Sequence, residues 1–418
     1  MNISLSILHF LILISISLVV SRIFSSIGNR FFGFPVVIGE LITGMVIGPY
    51  ALGALPIYGF TLIPQTSTGF LAPVSNEIPI PQAFYMFGQI GVIILLFYVG
   101  LSTDLQRFVK AIKTSTLIAI GESMIPFFIG FLVIFVFIRN IEEVLFIGVI
   151  LTASSTGITA RVLTDLNRLN SREGIAIMTS TVIVDVISIT LLTIITGIEN
   201  SSISFLSVLL VILKIVLFWS ISLIIGLKFK KYIIKFVKIF RDNLTLFSFI
   251  LLILFLVVSV SVSLDLTVIV GAYAFGLILS TIDEKSEIIK STENLASFFT
   301  PIFFVSIGMM VNLITLTSST ILALFILVIA ILTKIFGAAI PAKFLKYDKR
   351  ESILIGFGLL SMGEVALILA GNAMLYGIIN NEIYTITIFV TIGTTILAPI
   401  LLARAYKIKN NEIKKSTI

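Results

Sequence analysis

The chain contains no cysteine and a single histidine, His9. Disulfides, thiol nucleophiles and cysteine-held metals are thereby excluded. No His/Cys metal cluster, no nucleophile set beside a base and no phosphate loop is present, so the usual signatures of an enzyme or of a bound cofactor are missing. Charge is scarce as well. Asp, Glu, Lys and Arg make up 12% of the 418 residues, against about 25% in ordinary soluble domains. Such a chain cannot cover a water-facing surface. What it holds in quantity is apolar: 58% of its residues are hydrophobic, gathered in repeated runs close to the ~20 residues that carry a helix across a bilayer. A membrane β-barrel would alternate apolar and polar residues instead. The expected class is an all-α polytopic membrane protein.

Thirteen spans are expected, at roughly 4–24, 34–54, 84–102, 114–138, 143–163, 175–197, 204–227, 244–263, 266–281, 296–314, 319–341, 352–375 and 383–403. The first run has no basic residues ahead of it and no small-residue cleavage pattern behind it, so it reads as span 1 rather than a signal peptide. Basic residues mark the cytoplasmic side of a membrane protein. With the N-terminus outside, all of the 28 Lys and Arg fall in cytoplasmic segments except Arg139, Lys214 and Lys334. The long segment 55–82 has no Lys or Arg, as an external loop should. The net charge of +7 is therefore an orientation signal, with a cell-membrane location and a cytoplasmic C-terminus. The basic run from Lys228 to Arg241 lies between spans, where lipid headgroups rather than nucleic acid are its expected contact.

The chain resembles itself weakly at an offset of 208: "EVLFIG" (Glu143 to Gly148) matches "ESILIG" (Glu351 to Gly356), and "GLSTDL" (Gly100 to Leu105) matches "GMMVNL" (Gly308 to Leu313). These pair span 5 with span 12 and span 3 with span 10. The members of each pair cross the membrane in opposite directions, which predicts two inverted repeats, spans 1–6 and 8–13, with span 7 as linker. Spans 5 and 12 share a polar, glycine-containing interruption. In span 5 it is "TASSTGITA" (Thr152 to Ala160), with Ser154, Ser155 and Thr156 as candidate cation ligands. In span 12 it is "LLSMGEVA" (Leu359 to Ala366), with Ser361 and Glu364. Unwound backbone at mid-membrane frees carbonyl groups for an ion and is tolerated only inside protein or beside water. Close helix packing also favours Ser, Thr and Gly; the pairing across the two halves favours an ion site.

Few ionisable groups lie within spans. Asp185 comes ten residues into span 6, ~15 Å deep and near the midplane. A carboxylate there is costly as an anion unless a cation sits beside it. A cation and a proton can compete for that one charge, which is what a proton-coupled cation carrier requires. Glu122 lies ~13 Å into span 4 and is a candidate second proton site. Lys334, mid-way along span 11, needs a carboxylate or loses its proton; Asp185 is its expected first partner and Glu122 its second. Glu40 is expected in an interface between protein elements. His9 reads as packing, and Lys214 has no assigned role.

At these residues the chain resembles the monovalent cation:proton antiporter superfamily, the NapA-like and Kef-like sodium or potassium/proton exchangers. "FPVVIGELITGMVIGPYALG" (Phe34 to Gly53), "GQIGVIILLFYVGLSTDL" (Gly88 to Leu105), "TASSTGITARVLTDLNRLNSREG" (Thr152 to Gly174), "GAYAFGLILS" (Gly271 to Ser280) and "PIFFVSIGMMVN" (Pro301 to Asn312) carry the likeness. The resemblance implies a homodimer. Each subunit would be one membrane domain, with a scaffold of spans 1–3 and 7–10 and a mobile core of spans 4–6 and 11–13 that moves as an elevator. Spans 5 and 12 would cross as broken helices. Asp185 matches the ion-binding acid and Lys334 the core lysine. The soluble regulatory domain of Kef-type members is not expected, since the sequence ends soon after span 13. Two positions depart from the family. Val184 stands where relatives carry Asp or Asn before the acid, and Met362-Gly363-Glu364 stands where many read Arg-Gly-Glu. Paired acids go with electrogenic exchange in the family, so Val184 implies one cation for one proton. Na⁺ is the expected cation and Li⁺ is possible. K⁺/H⁺ exchange and an uncoupled cation conduit stay open as alternatives.

Overall fold

In the computed structural model, helix begins close to the N-terminus and runs through nearly every described segment. The described residues are 3–416 apart from 33, 56–61, 64–79, 139, 200–208, most of 209–242, 265, 283–284, 311–319 and 376–377. The α-helices described are α1 (Ile3–Ile27), α2 (Val36–Ile47), α3 (Gln82–Ser102), α4 (Leu105–Phe137), α5 (Ile141–Thr152), α6 (Thr156–Asp165), α7 (Arg172–Glu199), α8 (Asn243–Ser263), α9 (Val268–Leu279), α10 (Lys285–Met309), α11 (Thr320–Phe344), α12 (Lys349–Gly358), α13 (Gly363–Leu375) and α14 (Asn381–Ser416). No β-sheet occurs among the described residues. Among the described residues seven stretches are long and apolar enough to cross a bilayer, and part of α8 and all of α9 form shorter apolar helices. Most of the expected span 204–227 lies outside the described residues.

Side-chain caps set several of the helix starts. Asp104 Oδ1 accepts from the amides of Gln106 and Arg107 at 2.9 and 3.2 Å. Asn140 does the same for Glu142. Asp348 and Glu351 form a capping box at the start of α12. The Asp104 cap explains why α4 begins nine residues before the apolar run at 114. Arg107, Lys110 and Lys113, expected in a connecting loop, instead form its first polar turns.

The helices pack in two sets. In one, α3 lies against α9 and α10, α2 against α1 and α10, and α8 against α9. Its apolar core includes Leu13, Ile47, Phe84, Ile302 and Met309. In the other, α4 lies against α5, α7 and α11, α11 against α12 and α14, and α13 against α14. Ile134, Phe146, Ile326, Ala370 and Val390 belong to its core. The principal contacts between the sets are those of α6 with α2 and α3, and of α14 with α2. Large apolar side chains point outward along α1 (Leu11, Val19, Ile23), α4 (Leu132, Val136) and α11 (Leu324, Val328, Leu332). Apolar outer faces of that extent suit a bilayer as solvent. The stretch α5–α6 is the opposite case and is almost wholly enclosed.

Candidate functional site

Between α5 and α6 the residues 153–155 are extended, and between α12 and α13 the residues 359–362 are not helical. The two interruptions touch. The Ser155 amide donates to Ser361 O at 2.6 Å, and Thr159 Oγ1 donates to Gly358 O at 2.8 Å. Helix ends leave amides and carbonyls without intrahelical partners, and here each interruption satisfies part of the other. Ser155 also caps α6, accepting from the Ile158 amide at 3.3 Å. Gly363, the first residue of α13, has φ +56°, and a Cβ there would stand 2.3 Å from Ser155 Cβ. Only glycine meets both demands. The Gly363 amide donates to Thr395 Oγ1 of α14 at 3.2 Å, a tie that no sequence pattern flagged. Ser361 Oγ is buried without a hydrogen-bond partner among the described residues. The Glu364 side chain lies outside the described residues.

Lys334 and Glu122 are both fully enclosed and form an ion pair. This corrects the expectation that Lys334 pairs first with Asp185. The physical cause is the approach of α4 to α11. Gly121 and Gly337 sit face to face, where a Cβ on either would lie within 3 Å of the other's carbonyl oxygen. Small residues permit such contact in a membrane, and it brings the neighbouring Glu122 to Lys334. The ammonium also donates to Ala153 O at 2.9 Å and Leu151 O at 3.3 Å. It therefore sits on the carbonyl end of α5, where positive charge is favoured. Ser154 Oγ lies 2.8 Å from both Glu122 Oε1 and Leu359 O, so its one proton serves either acceptor.

Asp185 stands on α7, 1% exposed. Thr156 Oγ1 donates to its Oδ2 at 3.3 Å, which joins the first residue of α6 to the acid. One turn further along α7, Ser188 Oγ is 3.0 Å from Thr152 Oγ1, the last residue of α5. Both edges of the α5–α6 interruption are thus tied to α7. Of the expected ligands, Thr156 reaches Asp185, Ser154 faces Glu122, and Ser155 is held by its cap. Val184 is fully buried beside the acid. His9 is buried on α1, outside this cluster. Among the described residues no group of three or more His, Cys, Asp or Glu could hold a metal.

A family model for the transmembrane sodium/hydrogen exchanger matches residues 13–407. The chain belongs to that family. Among relatives of the sodium/hydrogen exchanger type, the Na⁺/H⁺-K⁺ antiporter GerN of Bacillus cereus is 30% identical over 385 residues, covering 92% of this chain and 93% of the relative. The Na⁺/H⁺ antiporter of Enterococcus hirae is 29% identical over 397 residues, covering 94% and 97%. The solved sodium proton antiporter MjNhaP1 of Methanocaldococcus jannaschii superposes with a TM-score of 0.71 at 16% identity, covering 97% of this chain and 96% of that one. At that identity the likeness speaks for the fold alone. In this exchanger-family member the matched segment takes in α2 through α13 and so holds both interruptions. It also holds Arg161 and Glu40, whose side chains approach within 4.0 Å between α6 and α2. Arg161 was expected in a cytoplasmic loop. Its place on a helix is signalled by Asp165, one turn on, to which it is paired at 3.3 Å.

Proposed function

We propose that the chain exchanges a monovalent cation, Na⁺ first, for protons, with Asp185 as the shared site. The observation that carries this is the burial of Asp185 against the broken backbone between α5 and α6, with Thr156 as a neighbouring oxygen. Bound cation or bound proton each neutralises the acid, and each expels the other. Thr156, the Ser361 hydroxyl and carbonyls near the interruptions are the further candidate oxygens. The relatives, named as Na⁺/H⁺ and Na⁺/H⁺-K⁺ antiporters, support the ion class.

The pairing of Lys334 with Glu122 supports one-for-one exchange. Lys334 already has its counter-charge, so Asp185 alone is left to alternate between cation and proton. The two packed sets support an alternating-access reading in which α4–α7 with α11–α14 slide past α1–α3 with α8–α10, as the elevator implies. Each crossing pair, α5–α6 and α12–α13, belongs to the moving set. The inverted repeat, the dimer and the outside N-terminus are part of the same reading. GerN, a Na⁺/H⁺-K⁺ antiporter by name, keeps a K⁺-exchanging version as the second reading.

The test is a proteoliposome assay of cation-driven proton movement across Na⁺, Li⁺ and K⁺. Wild type is expected to move protons with Na⁺, and Asp185→Asn to abolish the signal with all three. Exchange retained by Asp185→Asn would place the site elsewhere.

A further inference from the structure

The exchange scheme gives Glu40 no task. It lies in the first half of α2, 1% exposed, and neither of its carboxylate oxygens has a hydrogen bond among the described residues. The nearest charge is Arg161 of α6, with Nη2 4.0 Å from Glu40 Oε1; Asp165 of α6 and Arg22 of α1 also act on it. Because α2 and α6 belong to different helix sets, this is the one ion pair between the sets among the described residues.

Its form differs from that of the other buried pair. Lys334 and Glu122 lie within one set and are braced by Ser154 and two backbone carbonyls. Glu40 has no such bracing. A buried ion pair at the outer limit of contact, without supporting hydrogen bonds, gains little beyond the cost of desolvating its charges. It is poor as a permanent staple and well suited to repeated parting. Arg161 also keeps Asp165 one turn along its own helix, so it can leave Glu40 without losing every counter-charge. A continuous apolar core, with Leu41 and Leu96 on one side and Ile158 and Leu163 on the other, also spans the boundary between the sets, but it is open beside this pair. A cavity of about 420 Å³ opens between Tyr98 and Ser102 of α3 and Thr164, Arg168 and Asn170. Asn170 bridges it, donating to Ser102 O at 2.7 Å and accepting from the Asp104 amide at 3.1 Å.

We propose that Glu40 and Arg161 form a latch between the two helix sets, closed in this state and parted in every transport cycle. The inference rests on the alternating-access reading above. The chain has no native cysteine, so Glu40→Cys with Arg161→Cys can be bridged by a short bis-methanethiosulfonate and released by reductant. Bridging in proteoliposomes should slow exchange at least tenfold, with full recovery on reduction. Bridged protein that exchanges at the unbridged rate overturns the latch. Bridging kinetics give a readout that needs no transport: the rate should change several-fold with Na⁺, K⁺ or pH, and a rate indifferent to all three overturns the latch. Proton movement absent from the unbridged wild type would count against the exchanger reading alone, since bridging kinetics still judge the latch. Ser102→Cys with Asn170→Cys spans the same seam with both charges intact, and takes the place of the first pair if that variant does not fold.

Discussion

Lys334 and Glu122 are 212 residues apart in the chain and fully enclosed together. Breaking such a pair from one side leaves an uncompensated buried charge, a cost of about 3–5 kcal/mol, whereas replacing both partners with apolar groups is often neutral. Glu122→Leu should therefore lower the melting temperature of the detergent-solubilised protein sharply. Adding Lys334→Met should recover most of the loss. Additive losses in the double variant would show that the pair is not the unit of stability. Activity separates a second role. If the pair only holds the α5 carbonyl end in place, the double variant should still exchange through Asp185 at a reduced rate, while complete loss would assign the pair a part in proton movement. Val184 makes the opposite point. Its apolar side chain is fully buried one position before Asp185, and Lys334 has its counter-charge in Glu122 rather than in an acid at position 184.

The contact between the two interruptions depends on backbone, and Gly363 stands at it. A side chain there meets a left-handed φ, worth roughly 1–2 kcal/mol in an L-residue, and also the wall formed by Ser155. Gly363→Ala should therefore lose stability and exchange together. Gly363→Ala with Ser155→Gly relieves the clash but not the φ cost, so it should regain only part of the stability. Full recovery would mean that φ at 363 relaxes freely. These elements also divide what a sequence reader can see from what is hidden. Apolar runs and scarce charge are composition, so membrane helices are legible directly. The polar interruptions are local, and "TASSTGITA" overlaps the extended residues 153–155. Which groups meet across them is not local. Thr395 on Gly363, Thr159 on Gly358 O and Glu122 on Lys334 are contacts between distant segments, set by how closely α4, α11 and α14 approach. Nothing in the spacing of Glu122 and Asp185, two acids at similar depth, ranks them as partners for Lys334. The Gly121–Gly337 contact decides it, and that contact is visible only once the helices are packed.

For the whole molecule, the decisive quantity in the proposed scheme is the charge that would cross with the moving set. Lys334 and Glu122 would cancel within it. Asp185 would be neutralised by a cation in one loaded state and by a proton in the other. The proposed one-for-one exchange thus carries the same charge in both directions, and a membrane potential has nothing to act on. One uncompensated charge would couple to the potential by ~2.3 kcal/mol per 100 mV, about a fifty-fold bias in the equilibrium gradient. The expected outcome in proteoliposomes is a steady-state Na⁺ gradient set by the pH difference alone, unchanged when a potential of either sign is imposed with a K⁺ ionophore. A gradient that bends by tens of fold with potential would mean that an additional proton moves. Glu122 and Lys334 are then the groups positioned to carry it, and the same measurement on Glu122→Leu with Lys334→Met identifies the carrier: potential dependence lost in that variant assigns the additional proton to the pair, and dependence retained sends the search to other groups in the moving set.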